Sequence, residues 1–286
     1  MMVWDLKNKR YYEEIEYGKD RLDFLYNTFF GRIMLKLIFS SRWFSKFQAL
    51  YQRSKFSKSK IKRFVNRYSI NLDEYESISN YSSFSDFFRR KREIINRSGK
   101  KELVAIADSK VQVYDISSNL ILNIKRCRYD VSELLQDSNS AKEYENGKCI
   151  VYRLSVDDYH RYMYLDNGEI VMTKRIDGKL HTIRPISYKY NSFTSNSREV
   201  CVINTENFGQ VVQIEIGAML VGKIVNNNNK YFNKLEEKGY FDYGGSTIVQ
   251  LFKKDTISIE KEIMEKSKLD IETKVEIGMK IGDKYV

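Results

Sequence analysis

From residue 103 onward the apolar residues come in runs of strand length, which confines the larger part of this chain to a β-rich fold. The runs cover residues 103–107, 111–114, 120–124, 149–154, 170–172, 200–203, 211–216 and 220–225. Turn-forming residues separate them, and the polar run 226–229 reads as a loop. One further stretch, residues 238–252, reads as strand, tight turn, strand. Tyr240, Phe241 and Tyr243 suit a pleat, and Ile248, Val249, Leu251 and Phe252 resume one. Its centre, Gly244-Gly245-Ser246-Thr247, has two readings. It is a hairpin turn, or Ser246 attacks the peptide bond in front of it, which needs an unusual bend that glycine permits. These residues alone leave both open.

The first third has a different pattern. Residues 29–44 are the most hydrophobic segment, but Arg32, Lys36 and Arg42 interrupt it. No run therefore reaches the ~20 apolar residues that a membrane span needs. Arg32 and Lys36 are four apart and share a helix face, with Phe30, Ile33, Met34, Leu37 and Ile38 covering much of the rest. A second helix is expected over 58–68, where Ile61, Phe64, Val65 and Tyr68 recur at three and four. Lys46, Arg53, Lys55, Lys58, Lys60, Lys62 and Arg63 make this region cationic. It is either a helical pair packed on the core with a solvated basic face, or an interfacial element with its apolar side in a lipid boundary. A polar linker, 71–83, follows.

The formal net charge of +11 favours a polyanionic partner, nucleic acid or an anionic lipid surface. No zinc-finger or RNP motif is present, so lipid stands at least level with nucleic acid. Cys127, Cys149 and Cys201 lack CxxC spacing. That argues against a disulfide framework and against a metal site, and fits a reducing compartment. The first residues have no apolar core and do not read as a signal peptide.

Chemistry-bearing residues are few. Asp108 ends the run 103–107, a place where aspartate is commonly a turn former. His160, one of two histidines, follows Asp158 by two, so it is either a structural or exposed histidine or one that this carboxylate orients and tunes as an acid–base group. The other histidine is His181.

The stretch Gly239-Tyr240-Phe241-Asp242-Tyr243-Gly244-Gly245-Ser246-Thr247-Ile248-Val249 resembles the self-cleavage motif of phosphatidylserine decarboxylase proenzymes of the pyruvoyl-dependent, prokaryotic type. Four further blocks are similar to the same family. Asp86-Phe87-Phe88-Arg89-Arg90-Lys91 looks like its entry into the catalytic domain. Residues 124–135 match an Ile-Lys-Gly-x-x-Tyr-Ser-x-x-Glu-Leu-Leu segment, and 208–224 match Phe-Gly-x-Val-x-x-x-Glu-Val-Gly-Ala-x-x-Val-Gly-x-Ile. The run 154–163 looks like Leu-x-Pro-x-Asp-Tyr-His-Arg-x-His. The resemblance covers about residues 84–286.

It implies an α+β protein: N-terminal amphipathic helices in a basic, membrane-associating region 1–83, then a β-rich catalytic domain 84–286. Ser246 would attack the Gly245 carbonyl, and elimination and hydrolysis would leave a β chain of 1–245 and an α chain of 246–286. The α chain would begin with a pyruvoyl group derived from Ser246, whose carbonyl condenses with the substrate amine. Gly244 and Thr247 flank that bond as supporting residues. Asp108 would orient the base that activates Ser246, although Ile106 and Ser109 replace the proline and glycine of the family's Pro-x-Asp-Gly. His160 would protonate the carbanion left by decarboxylation, with Asp158 beside it. The family's second histidine, assigned as the base, falls on Met163, which accepts no proton. His181 is the candidate replacement.

The implied reaction converts phosphatidylserine to phosphatidylethanolamine at the cytoplasmic side of the cell membrane, on a peripheral protein drawn to anionic lipid. The α and β chains would form a heterodimer, with further dimerisation left open. Two rivals stand beside this reading: an uncleaved, non-catalytic lipid-binding relative of the same fold, and a basic nucleic-acid-binding protein.

Overall fold

A ten-stranded sheet runs through the molecule, and its register decides where the candidate residues fall. The computed structural model describes residues 1–14, 28, 50–118, 122–124, 127–177, 197–217, 224–227, 229–242 and 246–285. Eighteen strands lie among them. In chain order they open with β1 Met2–Asp5, β2 Arg10–Glu13, β3 Glu102–Val104, β4 Ser109–Asp115, β5 Leu122–Ile124 and β6 Cys127–Tyr129. Next come β7 Lys148–Leu154, β8 Arg161–Met163, β9 Gly168–Ile176, β10 Arg198–Thr205, β11 Gly209–Ile216 and β12 Ile224–Asn226. The last are β13 Tyr231–Phe232, β14 Glu237–Phe241, β15 Ser246–Phe252, β16 Ile257–Ile259, β17 Glu272–Val275 and β18 Lys280–Lys284.

The large sheet has the order β13-β9-β10-β11-β15-β7-β4-β17-β1-β2. Two three-stranded sheets, β12-β14-β8 and β16-β18-β3, pack with it, and β5 and β6 form a separate pair. All eight strand-length runs read from the sequence overlap strands, so the α+β class with a β-rich body holds. The strands at the centre of the large sheet are buried on both faces: every residue of β15 is buried, and so are Ile150, Tyr152, Leu154, Ile214 and Ile216 around it. That is why they read as continuous apolar runs and not as alternating ones.

Two helices build the approach to the site. In α1, Ser59–Tyr68, the three-and-four spacing puts Ile61 and Val65 inward, against Tyr81, Phe84, Phe87 and Phe88. It stops at Ser69, whose φ of 51° lets its N–H close on the Val65 carbonyl. The short α2, Phe84–Phe88, depends on its cap: Ser83 accepts from the Asp86 N–H, and Asp86 accepts in turn from the Ser82 N–H. The segment expected to be a polar linker, 71–83, is packed at its end, with Tyr81 and Ser83 buried.

The start of the chain differs from expectation. Residues 2–5 and 10–13 belong to the large sheet and not to a helical region. β1 lies parallel to β17 and antiparallel to β2, so Val3 faces Glu272 and Trp4 faces Tyr11. The Trp4 and Tyr11 rings meet edge to face at 4.8 Å, a cross-strand aromatic pair that favours strand over helix. Glu14 then fastens this hairpin to the end of β7. Its carboxylate accepts from Arg153 at 2.7 Å and from Ser155, with Lys110 at 3.6 Å. Burial opposes ionisation there, but Arg153 and Lys110 outweigh it and hold the Glu14 carboxyl well below the usual carboxylate range. The amphipathic segment expected over 29–44 lies outside the described residues.

Candidate active site

Ser246 opens β15, between β11 and β7. It faces Leu154 of β7, while Thr247 faces Arg153 on one side and Ile216 on the other. Both residues are buried. This register overturns the hairpin reading of 238–252. A tight hairpin would make β14 and β15 partners, yet Phe241 of β14 pairs with Ile224 of β12, and β14 also pairs with β8. Residues 243–245 thus link a strand of a three-stranded sheet to one of the large sheet. Gly244 and Gly245 are themselves outside the described residues.

His160 lies between β7 and β8 and is buried. Its Nδ1 is 2.8 Å from the Asp158 carbonyl oxygen. A carbonyl only accepts, so Nδ1 carries the proton and Nε2 is the basic nitrogen. The ring packs on Phe88, with centroids 4.2 Å apart. The His160 carbonyl accepts from the Phe241 N–H at 3.0 Å. One residue is therefore tied to the strand that runs toward Gly245, while its own loop leaves the strand that pairs with Ser246.

Asp158 does not orient His160 through its carboxylate, as its position suggested; only its backbone touches the ring. The carboxylate accepts from Lys110 Nζ at 2.8 and 2.9 Å and from the Ser155 N–H at 2.6 Å. Burial raises the Asp158 carboxyl, and Lys110 pulls the other way. The resulting pair fixes the turn that carries His160.

Asp108 sits at the bend before β4. Its Oδ1 accepts from Arg92 at 2.8 Å and from the Ile277 N–H at 2.9 Å. Burial raises this carboxyl and Arg92 opposes the shift. The Arg92 guanidinium also lies over the Tyr159 ring, 4.8 Å from its centroid. Met163 ends β8, and its N–H donates to the Ile106 carbonyl at 2.9 Å, two residues before Asp108. Its side chain is buried with Val104, Tyr159 and Leu235. The position expected for the second histidine is thus beside Asp108 but apolar, and Asp108 is bonded to an arginine. His181 lies outside the described residues.

A buried polar chain that sequence reasoning missed shares the sheet face of Ser246. Glu215 is opposite Ile248, two residues along from Ser246, so their side chains project on the same side. Lys238 donates to Glu215 at 2.9 Å, and both are almost wholly enclosed. Gln213 donates to Glu215 at 2.8 Å, Gln250 to Gln213 at 2.9 Å, and Tyr152 to Gln250 at 2.9 Å. Asn226, expected in a loop, ends β12 and donates to Glu215 at 3.2 Å. A glutamate and two glutamines inside otherwise apolar runs were the available signal. Lys238→Met is expected to cost about 3–5 kcal/mol, because it leaves the Glu215 carboxylate buried and unpaired. Urea unfolding of the uncut chain measures it.

Among the described residues, no helix is long and apolar enough to cross a membrane. Exposed Leu50 and Phe56 stand among Lys55, Lys58, Lys60, Lys62 and Arg63 at the start of α1.

Comparison with known proteins gives a consistent answer. The family model for phosphatidylserine decarboxylase matches residues 81–283. The chain is 50% identical over 279 residues to "Phosphatidylserine decarboxylase proenzyme 2" of Clostridium acetobutylicum, covering 96% of each chain. It is 38% identical to the phosphatidylserine decarboxylase proenzyme of Clostridium tetani, covering 99% of this chain and 98% of that one. The corresponding proenzyme of Clostridium kluyveri is 36% identical, with 98% and 97% covered.

Proposed function

Because the chain belongs to the phosphatidylserine decarboxylase family, we propose that it converts phosphatidylserine to phosphatidylethanolamine with a pyruvoyl group made from its own Ser246. The observation that carries this reading is the placement of Ser246: the first residue of a buried central strand, preceded by a link between two sheets. Ser246 Oγ attacks the Gly245 carbonyl carbon, and the peptide C–N bond breaks as an ester forms. Elimination then breaks the Cβ–Oγ bond and leaves a carboxylate on Gly245. Water releases the nitrogen of residue 246 as ammonia.

The residues present fit such a group. The ladders of β15 with β7 and β11 pin residue 246, whatever its covalent form, because they use its backbone neighbours. The α chain, 246–286, contributes β15, β16, β17 and β18 to sheets whose other strands come from the β chain, which supports a heterodimer that stays together after cleavage. The pyruvoyl carbonyl supplies the electron sink that no ordinary side chain offers to a decarboxylating amino acid. His160 is the proton donor to the carbon that loses carbon dioxide. Its Nδ1–H bond to the Asp158 carbonyl fixes the ring, so the basic Nε2 is the atom that takes up a proton and then delivers it. Asp108, bonded to Arg92 and the Ile277 N–H, steadies the bend before β4 and is assigned to orient the base.

That base is assigned to His181. Replacing His181 with alanine is expected to leave the chain uncut on a denaturing gel; normal cleavage would remove this assignment. The exposed cations and apolar side chains around α1 support a peripheral position on anionic lipid at the cytoplasmic face of the cell membrane. Mass spectrometry of purified protein tests the whole reading. Two fragments dividing at Gly245–Ser246, with the smaller one trapped by borohydride in the presence of phosphatidylserine, are expected. The apolar setting of Met163 favours one rival, an uncleaved lipid-binding relative. That rival predicts a single mass of 34.0 kDa.

A further inference from the structure

We infer that Asp242 is a positioning residue for self-cleavage, an anchor that holds the upstream side of the Gly245–Ser246 bond against a fixed Ser246. The inference rests on the Ser246 reading above. On the downstream side the anchor is the sheet itself, where Ser246 faces Leu154 and is fully enclosed. On the upstream side β14 ends at Phe241, and the next carboxylate, Asp242, is buried. Ser85 Oγ donates to its Oδ1 at 2.9 Å, Arg53 bonds Oδ2, and Arg89 Nε stands 3.6 Å from Oδ1.

These partners are tied to structured segments. Ser85 and Arg89 belong to α2 and its C-terminal cap. Arg53 lies just before the turn Lys55–Lys58, and Ser57 of that turn ties the two segments. Its Oγ accepts from the Phe84 N–H at 2.9 Å and donates to the Gln52 carbonyl at 2.8 Å. Arg161 extends the hold, since its guanidinium bonds the Arg89 carbonyl at 2.7 Å and lies 4.9 Å from the Tyr240 ring centroid.

Only Tyr243, Gly244 and Gly245 separate the two anchored points. Four Cα–Cα steps span at most about 14 Å, so fixing both ends restricts where the Gly245 carbonyl can go. Glycines let that link bend, but they do not hold any bend in place. Attack by Oγ needs the carbonyl carbon within a near-attack distance, and a misplacement of about 1 Å costs roughly a hundredfold in rate. Asp242 supplies the restraint that the glycines lack.

The test follows cleavage of the full chain made by cell-free synthesis, sampled over time for loss of the 34.0 kDa species. Asp242→Asn, which removes the charge that Arg53 and Arg89 grip, is expected to cleave about ten- to a hundredfold more slowly. Asp242→Glu, which keeps the charge, recovers most of the rate. Arg53→Gln, at a half-exposed position, repeats the slowing if the asparagine variant does not fold. The same changes in a Ser246→Ala background shift the thermal midpoint by no more than a few degrees. An Asp242→Asn chain that cleaves at the parent rate overturns the inference and leaves the Ser246 reading standing. Slowing matched by an equal loss of folded protein also overturns it, since the clamp would then be structural only. A parent chain that never divides overturns the Ser246 reading, and this inference with it.

Discussion

Replacing Ser246 with alanine is expected to leave the 34.0 kDa chain whole and to abolish release of carbon dioxide from phosphatidylserine. Both losses should be complete, because the hydroxyl is at once the attacking group and the source of the carbonyl. The fold should survive. Ser246 joins β15 through its backbone, opposite Leu154, and alanine changes one oxygen in a site that is already closed. The stability change should stay within about 1 kcal/mol, the usual worth of one hydrogen bond. An intact-mass measurement and a melting curve on the same sample separate the two effects. The variant protein should show one species, an ordinary unfolding transition, and no adduct after borohydride and substrate. A Ser246→Ala chain that still divides at this bond would place the chemistry elsewhere.

How much of this was open to inspection in the sequence depends on the range of each interaction. Strand-length apolar runs gave the β-rich body, because strands buried on both faces announce themselves locally, and α1 was visible from Ile61, Phe64, Val65 and Tyr68. Ser246 and His160 stood out as candidates, since motif residues keep their order. Partnerships did not. Gly-Gly-Ser-Thr has the chemistry of a hairpin turn, but Ser246 pairs with Leu154, far back along the chain, and local turn chemistry says nothing of that. Met2–Asp5 and Arg10–Glu13 are four residues each, too short to show a period, and only their pairing with β17 makes them strands. Asp158 sits beside His160 in sequence, yet Lys110 takes its carboxylate. Arg92 likewise takes Asp108, and Arg53 takes Asp242. Each is an arginine or lysine indistinguishable, in a chain with 49 of them, from a solvated surface charge. Met163 is the opposite case: its chemistry was legible as the loss of the expected base, and the structure adds that it is buried in an apolar cluster with Val104, Tyr159 and Leu235.

That loss makes His160→Asn the change that best separates maturation from turnover. Asparagine keeps a donor near the position of Nδ1, so the bond to the Asp158 carbonyl can persist, and the Phe241 N–H still meets the backbone carbonyl of residue 160. What disappears is Nε2. If His181 activates Ser246 and His160 protonates the decarboxylated carbon, the variant should divide normally and then turn over about 10²–10⁴-fold more slowly, the usual contribution of a placed acid. The loss should fall on kcat, with KM nearly unchanged, because a proton delivered in the transition state adds nothing to ground-state binding. Single-turnover release of carbon dioxide from fully cleaved protein measures it free of product dissociation. If His160→Asn instead blocks division, one imidazole serves both steps. His160 is suitably placed for that, since it holds the strand leading to Gly245 and follows the strand that holds Ser246. The His181→Ala chain should then divide as the parent does, so the two variants together assign the base that Met163 cannot be.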